Sequence, residues 1–166
     1  ASLSSKTQWT ELKADKVFAK NIENVYQGDL NLYVDHSNTR VGDGTSSNPF
    51  SDFASLVDYL EATPIIKKSI TINVVSSGNV SDNLYLQNLS GGAEIRFRVN
   101  RNLILNGNGA NSAFYFYNCD NHIIINGGRA SYDSSDGALI NKFKYGVFFN
   151  RCKYGVVEYI AIDTSG

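Results

Sequence analysis

The chain has 166 residues, of which 19% are charged and 42% hydrophobic, and its formal net charge is −1. This size and balance indicate one compact domain with a small appendage. The near-zero charge gives no reason to expect nucleic acid or an anionic membrane as a partner. No segment reaches the roughly 20 apolar residues of a membrane span, and the polar first ten residues do not form a signal peptide.

Residues 1–30 are the predicted appendage, a stalk or attachment segment. Phe18, Ile22 and Val25 have the spacing of one helical face. A short segment of this kind cannot bury its apolar face alone, so we predict self-association as a trimeric stalk. A disordered linker is the alternative. The residues predicted to make the contact are Trp9, Leu12, Phe18, Ile22 and Val25.

Residues 31–166 are the predicted main domain, which opens with a strand, a turn-rich loop and a helix. The strand covers residues 31–35, and the loop, with Gly42, Asp43 and Gly44, runs to Asn48. Ser51 is the candidate N-cap of the helix, with Asp52 in its first turn. The helix is predicted to cover the exposed end of the domain, and a strand follows it. The residues predicted to form its apolar face are Phe53, Leu56, Val57 and Leu60.

Four apolar runs predict a repeating β architecture. They begin at Leu84, Leu103, Ile123 and Val156, and the steps between these positions are 19, 20 and 33. A period of about 20 residues with β patterning indicates a solenoid, so the predicted fold class is all-β, a single-stranded parallel β-helix. The additional residues of the longest step are assigned to a loop from residue 129 to 142.

Alternation within the strands predicts which side chains face outward. Arg96 and Arg98 should point to solvent, and so should the tyrosines rather than the phenylalanines of residues 114–117. Asn106 and Asn126, each before a glycine, are interpreted as equivalent corner positions whose amides could stack in a ladder.

The two cysteines, Cys119 and Cys152, lie in a second repeated track and are separated by the same step as Ile123 and Val156. Equivalent positions in neighbouring coils lie about 4.8 Å apart, which permits a disulfide. A stacked pair of small buried thiols is the other interpretation, and the frequent burial of free cysteine favours it.

Two surface features could contact a partner. The tyrosines at 115, 117, 145 and 154 could pack against a neighbouring chain, which we favour, or offer flat faces to sugar rings. The long loop could form a carbohydrate or receptor contact, although solvated loop residues are the simpler interpretation. Its candidate residues are Arg129, Tyr132, Asp133 and Asp136.

The opening of the main domain resembles the pectin-lyase-like family of right-handed parallel β-helix proteins. The resemblance lies in Tyr33-Val34-Asp35, the Gly-Thr loop at residues 42–48, Pro49-Phe50 and the following amphipathic helix. It implies a right-handed β-helix with a capping helix. The family's calcium-binding acidic cluster cannot be placed on this sequence, so its lyase activity does not follow.

A second resemblance suggests a biological setting. Residues 12–22, leading into a β-helix, are similar to segments of tail-associated proteins from phages and prophages of Gram-positive bacteria. This implies a homotrimeric spike or fibre shaft on the virion tail. Its partners would be other tail or baseplate proteins and host cell-surface polysaccharide.

The alternative function is an enzyme of the same fold, a lyase or glycoside hydrolase acting on cell-wall or capsule polymers. No group of catalytic residues is identifiable in the sequence. No cofactor or metal site is predicted either, because His36 and His122 have no other candidate ligands near them in the sequence and no Cys/His cluster suggests zinc. Because the chain ends directly after a strand, we expect it to be the N-terminal part of a longer protein.

Overall fold

The computed structural model describes residues 30–62, 64–128 and 137–163. The predicted stalk contacts, Trp9, Leu12, Phe18, Ile22 and Val25, lie outside the described residues. So do the loop residues Arg129, Tyr132, Asp133 and Asp136. The division of the chain at residue 30 stays a prediction.

Across the described ranges, the chain forms twelve strands and one helix, so the architecture is mostly β. The elements are β1 (Leu30–Val34), α1 (Phe53–Glu61), β2 (Ile70–Val74), β3 (Gly78–Val80), β4 (Leu84–Gln87), β5 (Glu94–Val99), β6 (Leu103–Asn106), β7 (Ser112–Tyr117), β8 (His122–Asn126), β9 (Leu139–Asn141), β10 (Tyr145–Asn150), β11 (Tyr154–Glu158) and β12 (Ala161–Asp163). No helix in these ranges is long and apolar enough to cross a membrane.

The strands form three sheets, and neighbouring strands within each sheet pair in parallel. The first sheet has the order β1-β2-β5-β8-β11, the second β3-β6-β9-β12 and the third β4-β7-β10. From β2 onward, each strand joins the next sheet in a fixed rotation: first, second, third, first again. We call three consecutive strands, one in each sheet, a circuit.

The predicted period is wrong. The runs that begin at Leu84, Leu103 and Ile123 lie in the third, second and first sheets, respectively. They therefore belong to three different sheets and are not neighbouring strands of one sheet. Register partners within the first sheet are further apart in sequence than one predicted period, since Ile95 pairs with Ile123. The run at Val156 does lie beside β8, but Val156 pairs with Ile124 rather than with Ile123.

Inward-facing residues of the three sheets share one hydrophobic core. In β5, Ile95, Phe97 and Val99 are buried, whereas Arg96 and Arg98 face outward as predicted. Strand β7 follows the same pattern, with its two phenylalanines buried and its two tyrosines outward. Alternation therefore predicts the facing of side chains correctly even where the period is wrong.

The turn-rich loop after β1 is hydrogen-bonded back onto that strand. Tyr33 N donates to Gly44 O (2.9 Å), and Phe50 N donates to Tyr33 O (2.9 Å). Gly44 has a φ of 82° and lies against the Phe50 ring, so a side chain at this position would meet both backbone strain and the ring.

Helix α1 closes one side of the stack. The predicted N-cap, Ser51, is wrong by one residue, because Asp52 has extended backbone angles and its carboxylate accepts from Ser55 N (2.7 Å). Leu56 and Leu60 are buried, and the helix packs against β4, the edge strand of the third sheet. It thus covers a strand edge that would otherwise be open.

The corners after the third-sheet strands share a left-handed backbone. Asn88, Asn118 and Arg151 directly follow β4, β7 and β10 and have φ of 57°, 53° and 55°. Asparagine adopts this conformation more readily than most residues, and Asn118 Nδ2 also donates to Asn88 Oδ1 (2.8 Å). A side-chain amide contact between successive circuits therefore exists, but it joins Asn88 and Asn118 rather than Asn106 and Asn126.

The predicted equivalence of Asn106 and Asn126 is wrong, since β6 and β8 belong to different sheets. Asn106 lies opposite Asn141 and Asn126 opposite Glu158. The predicted loop from residue 129 to 142 is also too long, because Leu139–Asn141 form strand β9 of the second sheet.

Candidate functional site

The outward face of the third sheet carries a column of aromatic rings. Tyr85 of β4 pairs in register with Tyr115 of β7, which pairs with Phe148 of β10. The rings of Tyr85 and Tyr115 stack with centroids 4.9 Å apart, and those of Tyr115 and Phe148 with centroids 5.3 Å apart. These spacings follow the distance between parallel strands. We call these three residues the aromatic column.

A groove of about 440 Å³ lies beside the aromatic column. Asn83, Asn111 and Ser112 supply its polar groups, and Tyr145 joins the column residues in its wall. The Tyr145 ring tilts against Phe148, with centroids 5.5 Å apart, and Lys144 Nζ lies 5.4 Å from the Tyr145 ring centroid. The groove therefore combines aromatic edges with amide and hydroxyl groups.

Hydrogen bonds fix the rings of this face. Asn150 Nδ2 donates to the Tyr115 hydroxyl (3.1 Å), and the Tyr85 hydroxyl donates to Gln87 Oε1 (3.3 Å). These side chains come from the same sheet as the rings they hold. Tyr85 and Tyr115 are thus each hydrogen-bonded to a side chain of the third sheet.

The stacking decides which parts of the rings a partner can reach. The ring faces that stack on each other are already in contact. A partner can therefore reach only the ring edges, the hydroxyls and the outer faces of the two end rings. Tyr85 is 45% exposed and Phe148 38%. Sugar rings bind to open aromatic faces, and in this column only the faces at its two ends are not covered by a neighbouring column ring.

The four tyrosines predicted as contacts do not form one site. Tyr115 and Tyr145 line the groove, and Tyr117 lies on the same sheet, where its hydroxyl accepts from Arg151 (3.2 Å). Tyr154 belongs to the first sheet and packs on His122, with ring centroids 4.1 Å apart. The column members Tyr85 and Phe148 were missed. Correct register would have found Tyr85, which lies opposite Tyr115. The repeated track that contains the cysteines already placed Phe148 opposite Tyr115.

His36 is not isolated, contrary to the sequence interpretation. Its Nε2 lies 2.9 Å from Asp82 Oδ2, its Nδ1 lies 2.7 Å from Ser76 Oγ, and its ring meets the Phe53 ring edge-on. Asp82 Oδ2 also accepts from Phe53 N (2.9 Å) at the start of α1. We call His36, Ser76 and Asp82 the entrance cluster.

The chemistry of the entrance cluster is structural. Although the three residue types match a hydrolase triad, Ser76 is only 4% exposed. Its Oγ already accepts from His36 N (2.8 Å), and a nucleophile has to reach its substrate. The cluster instead joins the loop after β1, the residues around β3 and the N-terminus of α1.

Other charged groups within the described ranges form local pairs or turn contacts. Arg96 binds Glu94 (2.9 Å) and lies 3.5 Å from Glu158. Thr45 N–H and the Thr45 hydroxyl lower the pKa of Asp43, which lies in an exposed turn. Among the described residues, no group of three or more His, Cys, Asp or Glu side chains could hold a metal ion.

Comparison with known proteins adds no relative: no protein-family model, curated protein or solved structure matches this chain. The aromatic column, its groove and the entrance cluster are therefore interpreted from their own geometry.

Proposed function

We propose that this chain is a structural and adhesive component of a phage tail, in which three copies associate and the β circuits form a shaft. The shaft would be a right-handed parallel β-helix of the pectin-lyase-like kind. Parallel pairing and the fixed rotation among three sheets support this architecture. The general preference of parallel crossovers for the right hand, about 98%, supports the handedness.

The observation that carries self-association is the aromatic column. Its rings are stacked and at least partly exposed along the outer face of a sheet, and aromatic residues are enriched in protein interfaces. The column spans two strand spacings, about 10 Å, and polar groups of the groove flank it. We assign this face to contact with a second copy of the chain.

The phage setting rests on the sequence resemblance of residues 12–22, which lead into the β domain; the resemblance of residues 32–60 bears on the fold. In this proposal the protein lies on the virion tail, where other tail or baseplate proteins would hold one end of the shaft. Host cell-surface polysaccharide is the proposed adhesive target, and the loop residues Arg129, Tyr132, Asp133 and Asp136 are its proposed contacts.

Sedimentation of the full 166-residue chain at micromolar concentration tests the assembly. We expect a trimer that weakens at least about tenfold, or by about 1.4 kcal/mol, when Tyr85→Ser and Phe148→Ser are combined. Tyr154→Ser is the matched control, since it removes an exposed aromatic from the first sheet and should leave the assembly intact. A monomeric wild-type chain would contradict the proposal.

A stalk variant separates the two possible contacts. Phe18→Asp with Ile22→Asp should dissociate the trimer if residues 1–30 contribute to it. If this variant dissociates the trimer while the column variant leaves it intact, the contact belongs to the stalk, and the role given to the aromatic column is wrong.

Enzymatic activity would overturn the structural assignment. Incubation with Gram-positive wall polymers and analysis of the products should give no new reducing ends and no unsaturated sugars. Either product would establish a polysaccharide-degrading enzyme instead.

A further inference from the structure

Cys119 and Cys152 lie one above the other in successive circuits. They follow β7 and β10, and the backbone ladder between these strands continues through them: Asn118 N donates to Asn150 O (2.9 Å) and Lys153 N to Cys119 O (3.1 Å). These two bonds bracket the cysteines and keep them in register. Their Cα atoms are therefore separated by about the strand spacing, roughly 4.8 Å, which lies within the range of disulfides.

The two thiols have equivalent surroundings. Each Sγ lies near the carbonyl two residues before it, Tyr117 O at 3.4 Å for Cys119 and Asn150 O at 3.5 Å for Cys152. Each also lies near a carbonyl of the adjacent strand, Leu86 O for the first and Phe116 O for the second. Both sulfurs thus occupy the same corner, and both are free thiols.

Their access to solvent differs. Cys119 is buried, whereas Cys152 is partly exposed. Burial, with a smaller contribution from the neighbouring Cys152, raises the pKa of the Cys119 thiol to about 11. Since the thiolate is the reactive form, a reagent in solution should meet Cys152 first.

We propose that Cys119 and Cys152 form a redox-modification site, which closes into a disulfide by exchange with a low-molecular-weight disulfide. Cys152 is the attacking thiol and Cys119 the resolving thiol. Nothing in the proposed tail function requires this reaction, so the two proposals stand or fall separately.

The reaction balances over two exchange steps. Cys152 loses its proton to water and attacks one sulfur of glutathione disulfide, forming a mixed disulfide and releasing one glutathione. Cys119 then loses its proton and attacks Cys152 Sγ, forming the Cys119–Cys152 bond and releasing the second glutathione. The protein dithiol is oxidised by two electrons, and glutathione disulfide is reduced to two thiols.

The bond would link the residues that follow β7 and β10, two neighbouring strands of the third sheet. In the strands that follow, Val156 of β11 and Ile162 of β12 are each 47% exposed. Closing the loop between the two cysteines restricts the unfolded chain. We expect the oxidised protein to melt roughly 5–15 °C higher than the reduced one.

Incubation of the reduced full chain with glutathione disulfide, followed by intact mass and peptide mapping, tests the proposal. The wild type should lose the mass of two hydrogens, retain no glutathione and yield one cross-linked peptide pair containing both cysteines. A wild type that stays unmodified, keeps glutathione without the link or forms intermolecular dimers would overturn it.

Single variants test the order of attack. Cys119→Ala should accumulate one glutathione on Cys152, whereas Cys152→Ala should remain unmodified over the same time. Equal modification of both variants would overturn the assigned roles. The wild-type peptide map does not depend on whether either variant folds.

Discussion

At the residue scale, the entrance cluster shows what a single sequence hides. His36 and Asp82 are far apart in the sequence, and neither belongs to a recognisable motif. Their contact arises because the loop after β1 and the residues after β3 meet beside the N-terminus of α1. One carboxylate oxygen of Asp82 then serves both the His36 ring and Phe53 N.

Removing the Asp82 carboxylate should therefore cost more than an ordinary surface change. Asp82→Ala leaves the Phe53 N–H and the His36 ring without their acceptor, so we expect the free energy of unfolding to fall by about 1–3 kcal/mol. Denaturant titration measures this loss. Asp58→Ala, on the exposed side of α1, is the control and should change stability by less than about 0.5 kcal/mol. Equal losses in the two variants would show that the cluster does not stabilise the fold.

At the element scale, local patterns predicted the existence of α1 but not its first residue. Of the four residues predicted to form its apolar face, Phe53, Leu56 and Leu60 are buried and Val57 is partly buried. Ser51 and Asp52 are both good N-cap residues, so the sequence cannot choose between them. The backbone angles decide, and Ser51 Oγ instead donates to Asp52 Oδ2 (3.0 Å).

The cap should give α1 a pH dependence. The Ser55 N–H, followed by the Ser55 hydroxyl, lowers the pKa of Asp52 below its usual 3.8. A depressed folded pKa means stability that is present above the unfolded value and is lost as pH falls through the folded pKa. Asp52→Ala should thus destabilise the protein by about 0.5–2 kcal/mol at pH 7 and by less below about pH 4.

Asp52→Asn provides the comparison, because asparagine also caps helices but does not titrate in this range. Denaturant unfolding of the three proteins between pH 7 and pH 3 measures the effect. An Asp52→Ala loss that stays constant across this range would contradict the role of the ionised carboxylate.

At the scale of the whole molecule, the sequence predicted parallel β strands and the facing of their side chains. It failed on the period. All three sheets bury alternate residues against one core, so Leu84, Leu103 and Ile123 begin similar runs although they lie on different sheets. Sequence similarity between two apolar runs therefore reflects that both are buried against the core. It does not identify which strands are neighbours in a sheet.

The same ambiguity explains why Tyr85 was missed, since it lies one circuit before Tyr115 at a step that the predicted period does not contain. Phe148 lies one circuit after Tyr115 at the step shared by Cys119 and Cys152, and it was missed because only tyrosines were considered as outward contacts. The Cys119 and Cys152 pair was found because the step between these residues joins two strands of one sheet. A spacing is informative when it connects successive circuits and misleading when it connects successive sheets.

Backbone amide contacts measured by NMR on the isotope-labelled 166-residue chain test the three-sheet circuit most directly. The account predicts interstrand amide contacts between the neighbourhoods of Leu86 and Phe116 and between those of Phe97 and Ile125. Amide contacts pairing the run at Leu84 with the run at Leu103, as the shorter period predicted from the sequence requires, would contradict it.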